Sequence, residues 1–323
     1  MRGIVLDGFG GIEVIQVGEV AKPVPAPGEL LVQVAAAGVN RADLLQRKGF
    51  YPPPKGCSDI LGLEVSGQVA QVGAGVDKWQ VGDAVVALLA GGGYAEYVAV
   101  PQEQCAPPPG GINLIDAAGL IEVAATVVSN FNHVGLRTGE WVLVHGGAGG
   151  IGSCAIPYAK AIGAKVMTTV GSAEKATYAK SIGADAAFDY HDDWPAEVEA
   201  TTGGKGAGVI LDIIGAKYLE ANVKALARGG RLVVIGLQGG VKGTLDLNRL
   251  LSKGATVTAT SLRFRPKENK GEIVAEVANR LWPMFEDGTV PLPPIRRFTL
   301  DQAAGAHEHL ESGSNIGKIV LTL

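Results

Sequence analysis

One segment limits what this chain can become more than any other: Trp141-Val-Leu-Val-His145-Gly-Gly-Ala-Gly-Gly-Ile-Gly152, continuing as Ser153-Cys-Ala-Ile-Pro-Tyr-Ala-Lys-Ala-Ile162. The apolar run Trp141 to Val144 predicts a buried strand, and the apolar residues after the glycines recur at helical spacing. Between them, Gly147-x-Gly149-x-x-Gly152 stands in the strand–turn–helix setting of a dinucleotide fingerprint. In that reading Gly147 allows the tight turn, Gly149 lets backbone approach a pyrophosphate, and Gly152 lets the helix pack closely on the strand. Gly147, Gly149, Gly150, Ile151 and Gly152 then form a cradle at a helix N-terminus, where free N–H groups and about half a positive charge favour phosphate. With 47 glycines in 323 residues an ordinary glycine turn gives the same pattern, so the setting has to carry the reading.

The setting does. From Trp141 onward strands and helices alternate: Lys165–Val170, Ala187–Tyr190, Gly208–Ile213, Arg231–Ile235 and Ala255–Thr260 read as further strands, with a helix over Ser172–Ile182 ended by Gly183. Such alternation implies a parallel sheet wound on both faces. The first hundred residues differ. Short strand candidates (Met1–Asp7, Glu13–Glu19, Glu29–Ala37, then a long one from Ile60) are punctuated by glycine and proline, which suggests a small barrel-like unit. Tyr51-Pro-Pro-Pro-Lys-Gly56 has to be an irregular loop, because its prolines remove consecutive backbone donors. Near Asp116, a candidate helix cap, the character turns helical, with a second helical stretch over Val123–Val134. After Arg263 come helix candidates Asn269–Phe285 and Leu300–Glu311 and a closing strand Lys318–Leu323. The expected class is α/β.

The segment that should meet the adenosine ribose is Val170-Gly171-Ser172-Ala-Glu-Lys175. A site preferring NAD usually carries Asp or Glu there, roughly 20 residues past the glycines. This chain has Ser172 and Lys175 instead, a hydroxyl and a cation suited to a 2′-phosphate, and Glu174 is expected to point away. NADPH is therefore the expected cofactor, although Ser172 as a helix cap and Lys175 as a solvated lysine give the same residues.

A net charge of −4 and the lack of a basic stripe argue against a nucleic-acid partner. No run approaches the roughly 18 apolar residues of a membrane span, and the N-terminal residues lack the apolar core of a signal peptide. Cys57, Cys105 and Cys154 have no CxxC spacing, so a reducing cytoplasm is expected.

A β-rich first part, the glycine loop and a helical close together resemble the medium-chain dehydrogenase/reductase superfamily over the whole chain. That resemblance implies a barrel-type catalytic domain at 1–121, a doubly wound nucleotide-binding domain at 122–264, and a return of the chain to the first domain at 265–323. In its zinc members a Cys and a Gly-His-Glu motif supply ligands; the matching places here are Asn40 and Gly62-Leu63-Glu64, and the third falls at about Glu122. No metal is expected from that set. Without a Lewis acid, an alkoxide from a simple ketone is hard to stabilise. A quinone, whose product oxyanion is delocalised, or a conjugated carbonyl is the expected substrate.

Asn40-Arg-Ala-Asp43-Leu, Tyr51-Pro-Pro-Pro, Ile60-Leu-Gly-Leu-Glu64, Ala87-Leu-Leu-Ala-Gly-Gly-Gly93 and Asn315-Ile-Gly-Lys-Ile-Val320 look like the quinone oxidoreductase (zeta-crystallin) branch. They are most similar to its tumour-suppressor-inducible quinone oxidoreductase subgroup. That resemblance implies that Asn40, Asp43 and Tyr51 line the substrate end and that Thr126 approaches the nicotinamide. It implies that Gly171, Ser172, Lys175 and Tyr190 hold the adenosine phosphate, and that Gly236 and Leu237 border the nicotinamide ribose. Asn315 and Lys318 would close over the cofactor. Plainer roles stand beside these: Asn40 satisfying a strand end, Asp43 as a cap or salt-bridge partner, Tyr51 covering the proline loop, Tyr190 as a core-edge aromatic, and Lys318 as a solvated lysine. Pro157 departs from the family's Gln and puts the geometry of its helix in doubt.

The expectation is a metal-free NADPH-dependent quinone reductase, a homodimer joined near Ala255–Thr260, with hydride passing to a quinone in an interdomain cleft. An enone reductase, or a non-catalytic NADPH-binding protein, are the alternatives.

Overall fold

The computed structural model describes all 323 residues, Met1–Leu323. They form two compact units. One is Met1–Ala125 with Leu262–Gly288 and Leu292–Leu323; the other is Thr126–Ser261 with Thr289–Pro291.

The first unit opens with an antiparallel ribbon, β1 (Arg2–Leu6) and β2 (Ile15–Glu19). Next come β3 (Glu29–Val39), α1 (Arg41–Arg47), β4 (Glu64–Val72), β5 (Ala84–Leu88), β6 (Tyr97–Pro101), β7 (Cys105–Ala106) and α2 (Leu114–Ala117). The strand expected from Ile60 begins only at Glu64, because Gly62 takes φ +104, where a side chain would strike the backbone of Gly93 and Tyr94. The cap of α2 is Asn113, not Asp116. The Asn113 side chain accepts from the Asp116 N–H at 3.0 Å and donates to Asp116 Oδ2 at 2.8 Å, while Asp116 Oδ1 pairs with Arg297.

The second unit takes most of α3 (Ile121–His133). It continues with β8 (Trp141–His145), α4 (Gly150–Ala161), β9 (Lys165–Val170), α5 (Ala173–Ser181), β10 (Ala186–Asp189), α6 (Trp194–Thr201) and β11 (Ala207–Asp212). It ends with α7 (Leu219–Ala225), β12 (Leu226–Val234), α8 (Leu247–Lys253) and β13 (Thr256–Ala259). All neighbours in the sheet β10-β9-β8-β11-β12-β13 are parallel. The order reverses between β8 and β11, the switch point at which such sheets open a crevice beyond their strand ends. Leu143, Met167, Ile210 and Leu232 are wholly buried in its core, as expected of strands covered on both faces. Pro157 lies buried inside α4, and the helix runs through it to Ala161.

The chain then returns to the first unit with α9 (Lys267–Arg280), α10 (Trp282–Glu286), β14 (Ile295–Thr299), α11 (Ala303–Glu311) and β15 (Lys318–Thr322). The single helix expected over Asn269–Phe285 is two, parted at Leu281, with Pro283 in the first turn of the second. The antiparallel sheet runs β14-β15-β3-β4-β5-β7, with only the β14–β15 pair parallel. Strand β3 pairs β4 along one edge. Its other edge pairs β6 over Glu29–Gln33 and then β15 over Ala36–Val39. Two register shifts against β4 accompany that change of partner, the means by which a strand bends round a barrel corner. The division at Ala125 falls inside α3, whose first turn is tied to the first unit by the Glu122 N–H donating to Glu64 Oε2 at 3.0 Å. Arg263 likewise bonds only to first-unit residues, so 262–264 belong there.

Candidate active site

The glycines between β8 and α4 do different work from one another. The tight turn belongs to Gly146, at φ +77, and not to Gly147 as the spacing suggested. Gly147 is required by packing: a Cβ there would collide with the buried side chain of Thr168, whose hydroxyl donates to the Val144 carbonyl at 2.7 Å. A Cβ on Gly152 would run into the backbone of Gly146 and Gly147, which fixes how closely α4 starts against the loop. Gly149 is different. A Cβ there meets nothing nearer than the Gly146 carbonyl oxygen at 3.6 Å, so nothing inside the protein demands a glycine. That open space adjoins the first turn of a twelve-residue helix, where helix geometry leaves the N–H groups of Gly150, Ile151 and Gly152 over as donors. A group approaching that backbone is what an open glycine admits, so the cradle fits a dinucleotide's phosphates.

Four expected residues gather where β9 and β10 end. Val170 and Asp189 are register partners, and the Tyr190 N–H donates to the Val170 carbonyl at 2.9 Å. The Tyr190 ring, 45% exposed, lies so close over Gly171 that a Cβ there would press into it. Ser172 caps α5 by accepting from the Lys175 N–H at 3.3 Å. Burial lowers the Lys175 ammonium below the usual lysine range, against the pull of Glu174, which is exposed and still acts on it through its charge. No carboxylate ends β9. In the same unit Gly236, which packs on the Ile213 backbone, and half-exposed Leu237 follow β12, while Thr126 is buried in α3 and its carbonyl accepts from Asn130 Nδ2 at 2.8 Å.

The first unit holds a continuous buried polar network that local sequence reading could not assemble. Asn40 donates through Nδ2 to Glu64 Oε1 at 2.8 Å, and Lys318 Nζ donates to both Asn40 Oδ1 and Glu64 Oε1 at 2.7 Å. Glu64 is 0% exposed and Lys318 3%. Gly38 makes room for the carboxylate, since a Cβ there would strike it. Lys318 therefore does not offer its ammonium to a cofactor, as expected from resemblance, but neutralises a buried acid. Asn315 turns inward on its own segment, donating to the Gly317 carbonyl at 2.8 Å.

Asp43 is also corrected. Expected to line the substrate end, it is wholly buried and accepts from the Asn40 N–H (2.8 Å), the Gly62 N–H (3.1 Å) and Tyr94 OH (3.1 Å). It holds the entry to α1 in place. Tyr94 OH in turn sits 3.3 Å from His307 Nε2, and Arg47 Nη1 sits 3.5 Å from His307 Nδ1. If Arg47 donates to Nδ1, Nε2–H donates to Tyr94 and Tyr94 to Asp43, every proton is used and His307 is neutral. Tyr51, half-buried, meets Phe264 edge-on at 5.4 Å, with the Arg263 guanidinium 5.2 Å from its ring centroid.

This network has a pH signature. Burial, aided by the charge of Arg47, pushes His307 down from 6.5 to about 3. The stability it contributes is complete above pH 6.5 and drains as pH falls towards 3. Burial pushes Asp43 up from 3.8 to about 6, so its contribution is present below 3.8 and is lost as pH rises through 6. His307→Gln should therefore flatten the loss of stability between pH 6.5 and 4, and Asp43→Asn should steepen it. Urea unfolding across that range is the check; parallel curves for wild type and His307→Gln would refute the assignment.

Glu64 and Glu122 do not assemble with a His or Cys, and no group of three or more His, Cys, Asp or Glu is placed to hold a metal ion. No helix is long and apolar enough to cross a membrane.

Two family models match the chain: an alcohol dehydrogenase GroES-like domain over residues 26–110 and a zinc-binding dehydrogenase domain over residues 150–279. A quinone oxidoreductase of Salmonella typhimurium is 34% identical over 97% of this chain and 96% of its own length. Among solved structures, Escherichia coli quinone oxidoreductase complexed with NADPH matches with TM-score 0.90 and 31% identity, all of each chain being covered. An NAD-dependent alcohol dehydrogenase matches with TM-score 0.87 and 32% identity over the same full coverage.

Proposed function

The chain belongs to the medium-chain dehydrogenase/reductase superfamily, and from that premise we propose that it is an NADPH-dependent, metal-independent quinone oxidoreductase. The observation that carries the reading is the buried Asn40–Glu64–Lys318 cluster. By the resemblance, Asn40 stands at the place of the zinc members' Cys and Leu63, next to Glu64, at the place of their His. An ammonium has no lone pair to give zinc, the Asn40 amide oxygen is taken up by Lys318, and both Glu64 oxygens already accept hydrogen bonds. Without a Lewis acid, the substrate has to accept hydride without building a localised alkoxide, and a quinone does so.

The β8–α4 cradle binds the cofactor phosphates, with Gly149 admitting the pyrophosphate. Ser172 and Lys175 hold the 2′-phosphate, and Tyr190 covers the adenosine end. Bound NADPH supplies hydride from nicotinamide C4. The protein's own part is to bind, orient and exclude water. Lys175→Glu should weaken NADPH at least about tenfold more than NADH, read by fluorescence titration of both; equal weakening would sink the assignment. The likeness to an NAD-dependent alcohol dehydrogenase makes this the informative contrast.

Steady-state NADPH oxidation against an ortho-quinone and an aliphatic enone, with a chelator present, tests the reaction. Faster quinone turnover untouched by chelator is expected. Turnover of the enone alone would shift the reading to double-bond reduction, for which the Tyr51 phenol beside Arg263 is the candidate proton donor. Binding of NADPH with no turnover would leave a non-catalytic protein. We also propose a cytoplasmic homodimer. Three free thiols suit a reducing compartment. β13 ends its sheet with an unpaired edge, and nearby Leu247 and Leu251 are 68% and 81% exposed. Light scattering should give twice the 33.2 kDa chain mass; the single-chain mass would refute it.

A further inference from the structure

Two buried cations of the first unit make no ion pair. The other two, Arg47 and Lys318, each hold a carboxylate. Arg263, 4% exposed, spends its guanidinium on neutral acceptors: the carbonyls of Ala90 (2.8 Å) and Tyr51 (3.0 Å) and Gln46 Oε1 (2.6 Å). Lys270, in the first turn of α9, is 5% exposed, and its ammonium has neither a hydrogen bond nor an ion pair within the protein. The groups acting on it electrostatically are Arg263, which repels it, and the thiol of exposed Cys57. Burial holds both cations below their ordinary pKa ranges, and only for Arg263 does a carboxylate, Asp43, act through its charge in the opposite sense. The Lys270 ammonium is not among the fully buried unpartnered atoms, so it reaches the surface beside Arg263, where two like charges favour an anion arriving from outside the chain. Beside them stands an aromatic edge, Tyr51 against Phe264, the latter 52% exposed.

We propose that Arg263 and Lys270 form the charged end of a site for a small aromatic anion, whose ring lies against Tyr51 and Phe264 and whose carboxylate or sulfonate meets the two cations. Resting on the quinone reading, it follows that the preferred quinones carry an anionic substituent. Arg263, already anchored by three acceptors, supplies field and position. Lys270 supplies the free donors.

The binding test needs no NADPH. Calorimetric titration of the full chain with benzoate should show saturable binding that weakens as salt is raised, whereas benzamide should show none at the same concentrations. Lys270→Met should weaken benzoate at least about tenfold, and Lys270→Arg should restore it. Benzoate indistinguishable from benzamide, or bound equally by Lys270→Met, overturns the site. Should Lys270→Met fail to fold, affinity insensitive to salt in the wild type overturns it instead. The substrate test compares kcat/KM for 1,2-naphthoquinone-4-sulfonate with that for 1,2-naphthoquinone. Lys270→Met should lower that ratio about tenfold through the KM of the sulfonate. An unchanged ratio overturns the substrate preference. Benzoate binding without turnover of either quinone removes the quinone reading and leaves the site standing; turnover of both without benzoate binding does the reverse.

Discussion

Lys318→Met should lower the free energy of unfolding by about 3–5 kcal/mol, more than any other single change at the buried network. The size follows from what is left behind. Glu64 is wholly buried, and Lys318 supplies its only opposite charge, at 2.7 Å. Removing the ammonium strands a carboxylate that keeps just two donors, Asn40 Nδ2 and the Glu122 N–H. The chain must then protonate Glu64, admit water, or unfold. The second half of the expectation is that Glu64→Gln added to Lys318→Met recovers much of the loss, because a neutral amide in the same volume removes the stranded charge. Urea unfolding followed by circular dichroism measures both. A loss under about 1 kcal/mol, or a double variant no better than the single, would show that the pair is not what holds this corner together.

Gly149→Val should weaken NADPH and NADH alike by at least about a hundredfold while leaving the melting temperature of the cofactor-free protein close to that of wild type. The two halves come from one fact: the space over Gly149 is open to the protein itself, with no neighbour inside 3.6 Å, and its φ of −78° is one that valine adopts. A side chain there obstructs only what comes from outside. Gly152→Ala is the control with the opposite signature, since its methyl has to displace the backbone of Gly146 and Gly147. It should lower the melting temperature of the cofactor-free protein. Near-normal NADPH affinity in Gly149→Val would remove the basis for placing phosphates at this turn.

Much of the second unit was legible because its signals are local. The strand Trp141–His145, the glycines after it, and Ser172 capping a helix are each decided within a dozen residues. Adjacent glycines were beyond that reach: spacing cannot say that Gly146 takes the turn and Gly147 the packing, because Thr168, which decides it, lies on the next strand. Helices α7 and α8 escaped notice because they are two turns long, and α8 buries no residue, so no apolar stripe exists to read. β14, Ile-Arg-Arg-Phe-Thr, is an edge strand with two exposed arginines and lacks the alternation a half-buried strand shows. The polar network was the least legible part. Asp43 reads equally as cap or cleft residue until Gly62 and Tyr94 are brought to it, and Lys318 reads as a surface lysine until Glu64 is opposite.

The pairing of β15 with β3 bears on the order in which this protein can be made. Asn40 and Lys318 are 278 residues apart, and all of Thr126–Ser261 lies between them in the chain. All of the second unit but Thr289–Pro291 is contiguous sequence, and its sheet can form while the remainder is still being synthesised. The first unit cannot. Its long strand lacks an edge partner over Ala36–Val39, and Glu64 lacks its counter-charge, until Lys318–Thr322 has left the ribosome. During translation the N-terminal segment therefore waits with an open sheet edge and an unneutralised acid, and its need for protection outlasts completion of the nucleotide-binding half.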